Sequence, residues 1–173
     1  MEKKIYFVTG GCRSGKSGYA EKLTLGLAGS RKLYIATCVP YDDEMQDRVD
    51  RHKHDRGDVW DTDETPVNIQ DVIEAKSCGY DGILVDCLTL WISNLMMEND
   101  EAGIMAHADR LAEALKNSKC PVVLVSNEVG AGIVPENQVA RQFRDYAGFV
   151  NQKIAAAADA AYWLVSGLPV QIK

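Results

Sequence analysis

The sequence contains no C-x-x-C pair, and its five cysteines (Cys12, Cys38, Cys78, Cys87 and Cys120) are odd in number and scattered. A disulfide framework or a structural zinc site is therefore not expected. No long basic run occurs and the net charge is -6, so no feature directs the chain to nucleic acid or to an anionic membrane surface. Long hydrophobic runs are also missing. Met1-Glu2-Lys3-Lys4 is followed by only four strongly apolar residues before the glycines, too few for a signal h-region or a membrane span. A reduced cytoplasm is the expected compartment. With no repeat, low-complexity tract or linker in 173 residues, one domain over 1–173 with a real core is expected.

The most informative feature is Val8-Thr9-Gly10-Gly11-Cys12-Arg13-Ser14-Gly15-Lys16-Ser17, which follows the apolar run Ile5 to Val8 and precedes a helical pattern. It matches G-x-x-x-x-G-K-[ST] without a mismatch. In such a stretch the glycines let the backbone approach phosphates, and successive amides and the start of the helix point at them. Lys16 adds a point charge and the Ser17 hydroxyl is a magnesium ligand. Residues 9–17 (Thr9, Gly10, Gly11, Cys12, Arg13, Ser14, Gly15, Lys16 and Ser17) thus form a candidate phosphate cradle. The bland alternative is a Gly-rich turn that opens a helix.

Five apolar runs suit strands buried on both faces: Ile5 to Val8, Leu33 to Ala36, Ile83 to Val85, Val122 to Val125 and Tyr162 to Val165. Segments with helical spacing separate them, the pattern of βα units in a doubly wound, mostly parallel α/β sheet. Helices are expected from Lys16 through Leu27, from Val67 to Lys76, from Asp86 through Met97, around Ile104, Ala108, Leu111 and Leu115, and around Val139, Phe143, Ala147, Val150 and Ile154. Asp42 or Asp43 caps a further helix with Met45, Val49 and His52 on one stripe. Asp58 to Pro66 reads as a polar connection, and His107, beside an apolar stripe, as structural or solvated. The turn after Val165 predicts a terminal antiparallel edge hairpin.

Three constellations bear on chemistry. Asp86, at the end of an apolar strand, is expected to supply the second magnesium ligand from the strand adjacent to the motif strand; an Asx turn or helix cap is the alternative. Glu128, in the turn-rich stretch Ser126 to Pro135, competes with Asp42, Asp43 and Glu44 for general base toward an attacking hydroxyl. Arg13, Arg48, Arg51, Lys53 and Arg56 form a local basic concentration around His52. An imidazole there is either a partly buried structural group or a nucleophile toward phosphorus.

With Tyr34-Ile-Ala-Thr37, Asp42-Asp-Glu-Met45, Arg48-x-x-x-His52-x-x-x-Arg56-x-x-x-Trp60, Asp86-Cys-Leu-Thr-Leu-Trp91, Ser126-Asn-Glu-Val-Gly-x-Gly-Ile-Val-Pro135 and Ala140-Arg-x-Phe-Arg-Asp-x-x-Gly-x-x-Asn151-Gln, the whole chain resembles the bifunctional cobinamide kinase/cobinamide-phosphate guanylyltransferase family of cobalamin biosynthesis. The resemblance implies a P-loop, RecA-like fold and a corrinoid substrate. ATP or GTP would phosphorylate the aminopropanol hydroxyl of adenosylcobinamide, and GTP would then donate GMP to that phosphate. It also implies a histidine-GMP intermediate at His52, with His54 as the alternative position. Ala36, Thr37, Cys38, Lys53, His54, Asp55, Arg56 and Glu64 are implied to hold the guanine nucleotide, and the implied assembly is a homotrimer. Cys12 stands where relatives often have alanine. Two other readings of the residues stay open: another P-loop small-molecule kinase, and a nucleotide-binding regulatory module.

Overall fold

The computed structural model describes residues 3–40, 47 and 59–173. Its centre is a seven-stranded sheet in which β1 (Ile5–Gly10), β2 (Lys32–Ala36), β3 (Trp60–Glu64), β4 (Gly82–Asp86), β5 (Val122–Asn127), β6 (Ala160–Val165) and β7 (Leu168–Gln171) lie in the order β3-β2-β4-β5-β1-β6-β7. Neighbours from β3 to β6 pair parallel, and β7 alone runs antiparallel, against β6. The described helices are α1 (Lys16–Leu25), α2 (Ile69–Lys76), α3 (Leu88–Leu95), α4 (Glu101–Asn117) and α5 (Gln138–Ala157).

In β1, β2, β4 and β5 the continuous apolar runs are explained by burial on both faces, because successive side chains of a strand point to opposite sides; β6 departs from the expectation, with Trp163 and Val165 exposed. Phe7, Ile83 and Leu124 enter one core with Ile69 and Ile73 of α2, Trp91 of α3, Leu111 of α4 and Val150 of α5. Their neighbours Val8, Leu84 and Val125 enter a second core on the opposite face, where α1 contributes Ala20 with Tyr19 and Leu23 beside it. The doubly wound expectation is borne out. So is the hairpin, whose turn residues Ser166 and Gly167 have φ of 51° and 85°, as a two-residue primed turn requires.

Two expectations are corrected. The supposed connection Asp58 to Pro66 contains β3, which pairs with β2 from Lys32↔Trp60 to Ala36↔Glu64. An edge strand needs little apolar surface, and of Trp60–Glu64 only Trp60 is buried, its ring meeting Tyr34 edge-on at 5.9 Å. Helix α1 stops at Leu25 rather than Leu27, because Gly26 caps it and Lys32 Nζ donates to the carbonyls of Leu27 (3.0 Å) and Ala28 (3.2 Å). His107 meets Trp91 edge-on at 6.4 Å, and burial together with Arg110 holds its pKa below the usual imidazole value. That suits the structural role expected of it.

Candidate active site

Because β1 to β6 are parallel, the loops that follow β1, β2, β4 and β5 open on one carboxyl edge, where ligands of open α/β sheets bind. The cradle emerges from β1 there. Arg13 takes a left-handed φ of 54° and Gly15 one of 90°, which turns the chain tightly into α1. Ser14 N–H donates to the Gly11 carbonyl (3.2 Å) and Lys16 Nζ folds back onto the same oxygen (3.1 Å). A Cβ added at Gly11 would meet nothing within 4 Å, so the bowl is open at its centre. Behind it, Gly167 N–H donates to the Ser14 carbonyl at 2.9 Å, tying the cradle to the β6–β7 turn.

Asp86 is not on the strand adjacent to the motif strand, as the sequence suggested. Strand β5 lies between β4 and β1, which sets Asp86 about 10 Å to the side at two strand spacings. Its carboxylate Oδ2 accepts from Tyr34 Oη at 2.9 Å. Ala36 is in register with both Glu64 and Asp86, so three singled-out residues stand in a row across the ends of β3, β2 and β4. Among the described residues no group of three or more His, Cys, Asp or Glu side chains is placed to cage a metal. Magnesium is commonly held by one or two protein oxygens plus phosphates, and the hard oxygens of Ser17 and Asp86 fit that kind of site.

Thr37 is engaged on all sides by the protein itself. It is fully buried; its hydroxyl donates to the Cys87 carbonyl (2.8 Å) and accepts from Cys87 N–H (2.9 Å). Its N–H donates to the Asp86 carbonyl (3.3 Å), and its carbonyl accepts from Asn94 Nδ2 (2.8 Å). Thr37 therefore clamps the end of β2 to the β4–α3 turn and so positions Ala36, Cys38 and Asp86.

Glu128 lies directly beside the cradle. Gly10 and Asn127 are register partners, and Glu128 N–H donates to the Gly10 carbonyl at 2.9 Å. The Asn127 peptide is gripped from both sides, by Thr89 Oγ1 to its N–H (2.7 Å) and by Asn151 Nδ2 to its carbonyl (3.1 Å). The Glu128 carboxylate accepts from Gly130 N–H at 2.6 Å. Tyr34, Thr89, Asn151 and the β6–β7 turn stand in stretches that the sequence singled out, but their supporting roles act through contacts distant in the chain. His52, Lys53, His54, Asp55 and Arg56, with the rival bases Asp42, Asp43 and Glu44, lie outside the described residues.

The cysteines offer a direct readout of the cradle. Cys12 is exposed on its loop and Cys78 is exposed far along the chain, whereas Cys87 is buried, its thiol pushed up to about 11 by burial and by the neighbouring Asp86 charge. A thiolate is the reactive form. Iodoacetamide at pH 8 is expected to label Cys12 and Cys78 but not Cys87. Added ATP should protect Cys12 alone, by site-resolved mass spectrometry; equal labelling of Cys12 with and without nucleotide would contradict this assignment of the cradle.

A glycine-rich cradle that follows the first strand of a mostly parallel sheet and opens a helix, with Glu128 at the neighbouring strand end, defines a P-loop nucleotide-binding fold. Solved structures agree on that fold: the RadB recombinase (TM-score 0.56, 13% identity, 92% of this chain and 73% of that one) and the P4 protein of bacteriophage phi6 in complex with ADP (TM-score 0.54, 17% identity, 96% and 54%). Within it, the chain belongs to the cobinamide kinase / cobinamide phosphate guanyltransferase family, whose model matches residues 6–172. Its relatives include the bifunctional adenosylcobalamin biosynthesis proteins CobU of Salmonella typhimurium, 45% identical over 98% of this chain and 99% of that protein, and CobP of Pseudomonas aeruginosa, 38% identical over 96% and 95%.

Proposed function

We propose that the chain performs both transfers named for its family as one domain, using the cradle in each. In the first, the aminopropanol hydroxyl of adenosylcobinamide attacks the γ-phosphorus of ATP or GTP, its proton passes to Glu128, and the nucleoside diphosphate leaves. In the second, a neutral His52 imidazole attacks the α-phosphorus of GTP; a P–N bond forms and pyrophosphate leaves. A phosphate oxygen of adenosylcobinamide phosphate then displaces the imidazole, giving adenosylcobinamide-GDP. Splitting one difficult displacement into two is the gain from a covalent intermediate.

Lys16 and the cradle amides hold the triphosphate, and with it the charge that develops on the departing phosphates. Ser17 and Asp86 would hold magnesium, which supplies further charge neutralisation when bound. Ala36, Cys38, Glu64 and residues 53–56 would bind the guanine nucleotide, and Thr37 supports them. The observation that carries this reading is the meeting of the Lys16–Ser17 cradle with Glu128 at one strand edge, in a chain matched to the family over residues 6–172. The exposed apolar Trp163, Val165, Leu168, Val170 and Ile172 on the edge hairpin offer a face for the homotrimer. No described helix is long and apolar enough to cross a membrane.

Incubation with GTP labelled at the α-phosphate tests the covalent step. Acid-labile, alkali-stable label on the protein, absent in His52→Ala, is expected. Absence of label from the parent protein sinks guanylylation, and label that persists in His52→Ala moves the nucleophile to His54. Phosphorylation of cobinamide without GMP transfer would leave a plain kinase. Neither reaction with corrinoid present would favour a regulatory module.

A further inference from the structure

The segment Ala140 to Gln152 contains Arg144, a residue to which none of the roles above is assigned. From α5, Arg144 Nη2 donates to the Gly130 carbonyl at 2.5 Å. The N–H of the same residue, Gly130, donates to Glu128 Oε1 at 2.6 Å, and Glu128 N–H is itself bonded to Gly10 of the cradle. The path is continuous: guanidinium, Gly130, carboxylate, cradle. Gly130 fits this path closely, since a Cβ there would stand 2.8 Å from Glu128 Oε1.

Arg144 is also poorly arranged for stability alone. Its Nη1 is buried and has no hydrogen-bond partner among the described residues. Leaving a buried donor unmatched costs about 1–3 kcal/mol, and more for a charged group. An arginine present only to brace a loop would be expected to have its donors matched. A planar, always-charged fork that fixes one peptide in place suits a site where a sub-ångström displacement matters.

We infer that Arg144 is a positioning residue for the phosphoryl-transfer step, fixing the Glu128 carboxylate at the cradle through Gly130. This rests on Glu128 as general base, and the test separates the two claims. With ATP and adenosylcobinamide as substrates, Glu128→Gln is expected to lower kcat by about 10²-fold or more, the usual contribution of a general base. Arg144→Gln is expected to lower kcat roughly 10- to 100-fold while KM for ATP stays at the parent value, because the cradle itself is untouched. Arg144→Lys retains a donor for the Gly130 carbonyl and should recover most of the loss.

A double-mutant cycle decides the path. If Arg144 acts through Glu128, Arg144→Gln has no further effect on kcat in the Glu128→Gln background. An equal fold-loss in both backgrounds overturns the inference. Parent-like kcat in Glu128→Gln refutes the general-base reading by itself. If Arg144→Gln fails to fold, Gly130→Ala interrupts the same path without touching the charge. It should lower kcat in the parent background and not in Glu128→Gln; parent-like kcat in Gly130→Ala also overturns the inference.

Discussion

Lys16→Ala is expected to suppress cobinamide phosphorylation and GMP transfer together, each by about 10²–10³-fold, the loss typical of removing one donor from developing transition-state charge. In the structure the half-buried Lys16 turns its ammonium onto the Gly11 carbonyl at 3.1 Å. It is therefore held close to where phosphate oxygens would sit, at little reorganisation cost. Arginine is a poor replacement, because its planar fork cannot occupy the position of a compact ammonium. The measurements are phosphate transfer from γ-labelled ATP to adenosylcobinamide and GMP transfer from α-labelled GTP to its phosphate, with circular dichroism to confirm the fold. A variant that lost one activity and kept the other would mean that the two reactions use different cradles.

Gly10→Ala is expected to destabilise the protein by about 3 kcal/mol and to abolish nucleotide binding, through overpacking and backbone strain combined. A Cβ at this position would lie 2.6 Å from Ser14 Oγ and 2.7 Å from the Leu164 carbonyl, and the residue's φ of 158° is one that side-chain-bearing residues rarely adopt. The Leu164 contact is with backbone, so it cannot be relieved by a rotamer change. Gly11→Ala provides the contrast. Its Cβ enters open space, so stability should stay within about 0.5 kcal/mol while nucleotide affinity falls, since the methyl projects where phosphates belong. Urea unfolding with and without ATP separates the two glycines. Parent-like stability in Gly10→Ala would be incompatible with this packing.

What the sequence disclosed depended on whether the signal was local. The cradle was legible because its glycines, Lys16 and Ser17 sit at fixed spacing within one turn of chain. Strands β1, β2, β4 and β5 were legible because burial on both faces demands unbroken apolar runs, and β6 because its run is apolar although Trp163 and Val165 stay exposed. Strand β3 was not, because Trp60-Asp61-Thr62-Asp63-Glu64 buries a single side chain and is otherwise as polar as a loop. Strand order is not a local property either. The insertion of β5 between β4 and β1 moved Asp86 a strand away from its expected place and brought Glu128 to the Gly10 carbonyl. Thr37 was singled out for the nucleotide; in the structure its hydroxyl closes on Cys87, a contact no spacing rule reveals. The case for His52 rests on its basic surroundings in the sequence and on family resemblance.

The hydrogen bond from Gly167 to Ser14 has a consequence for synthesis. The cradle follows β1, yet its floor is closed by the turn between β6 and β7, and β1 itself is flanked by β5 and β6, all of which are synthesised after it. Contacts of such long sequence separation form slowly. A chain in which β6 and β7 have not docked would thus carry the complete glycine motif without the turn that closes the cradle's floor.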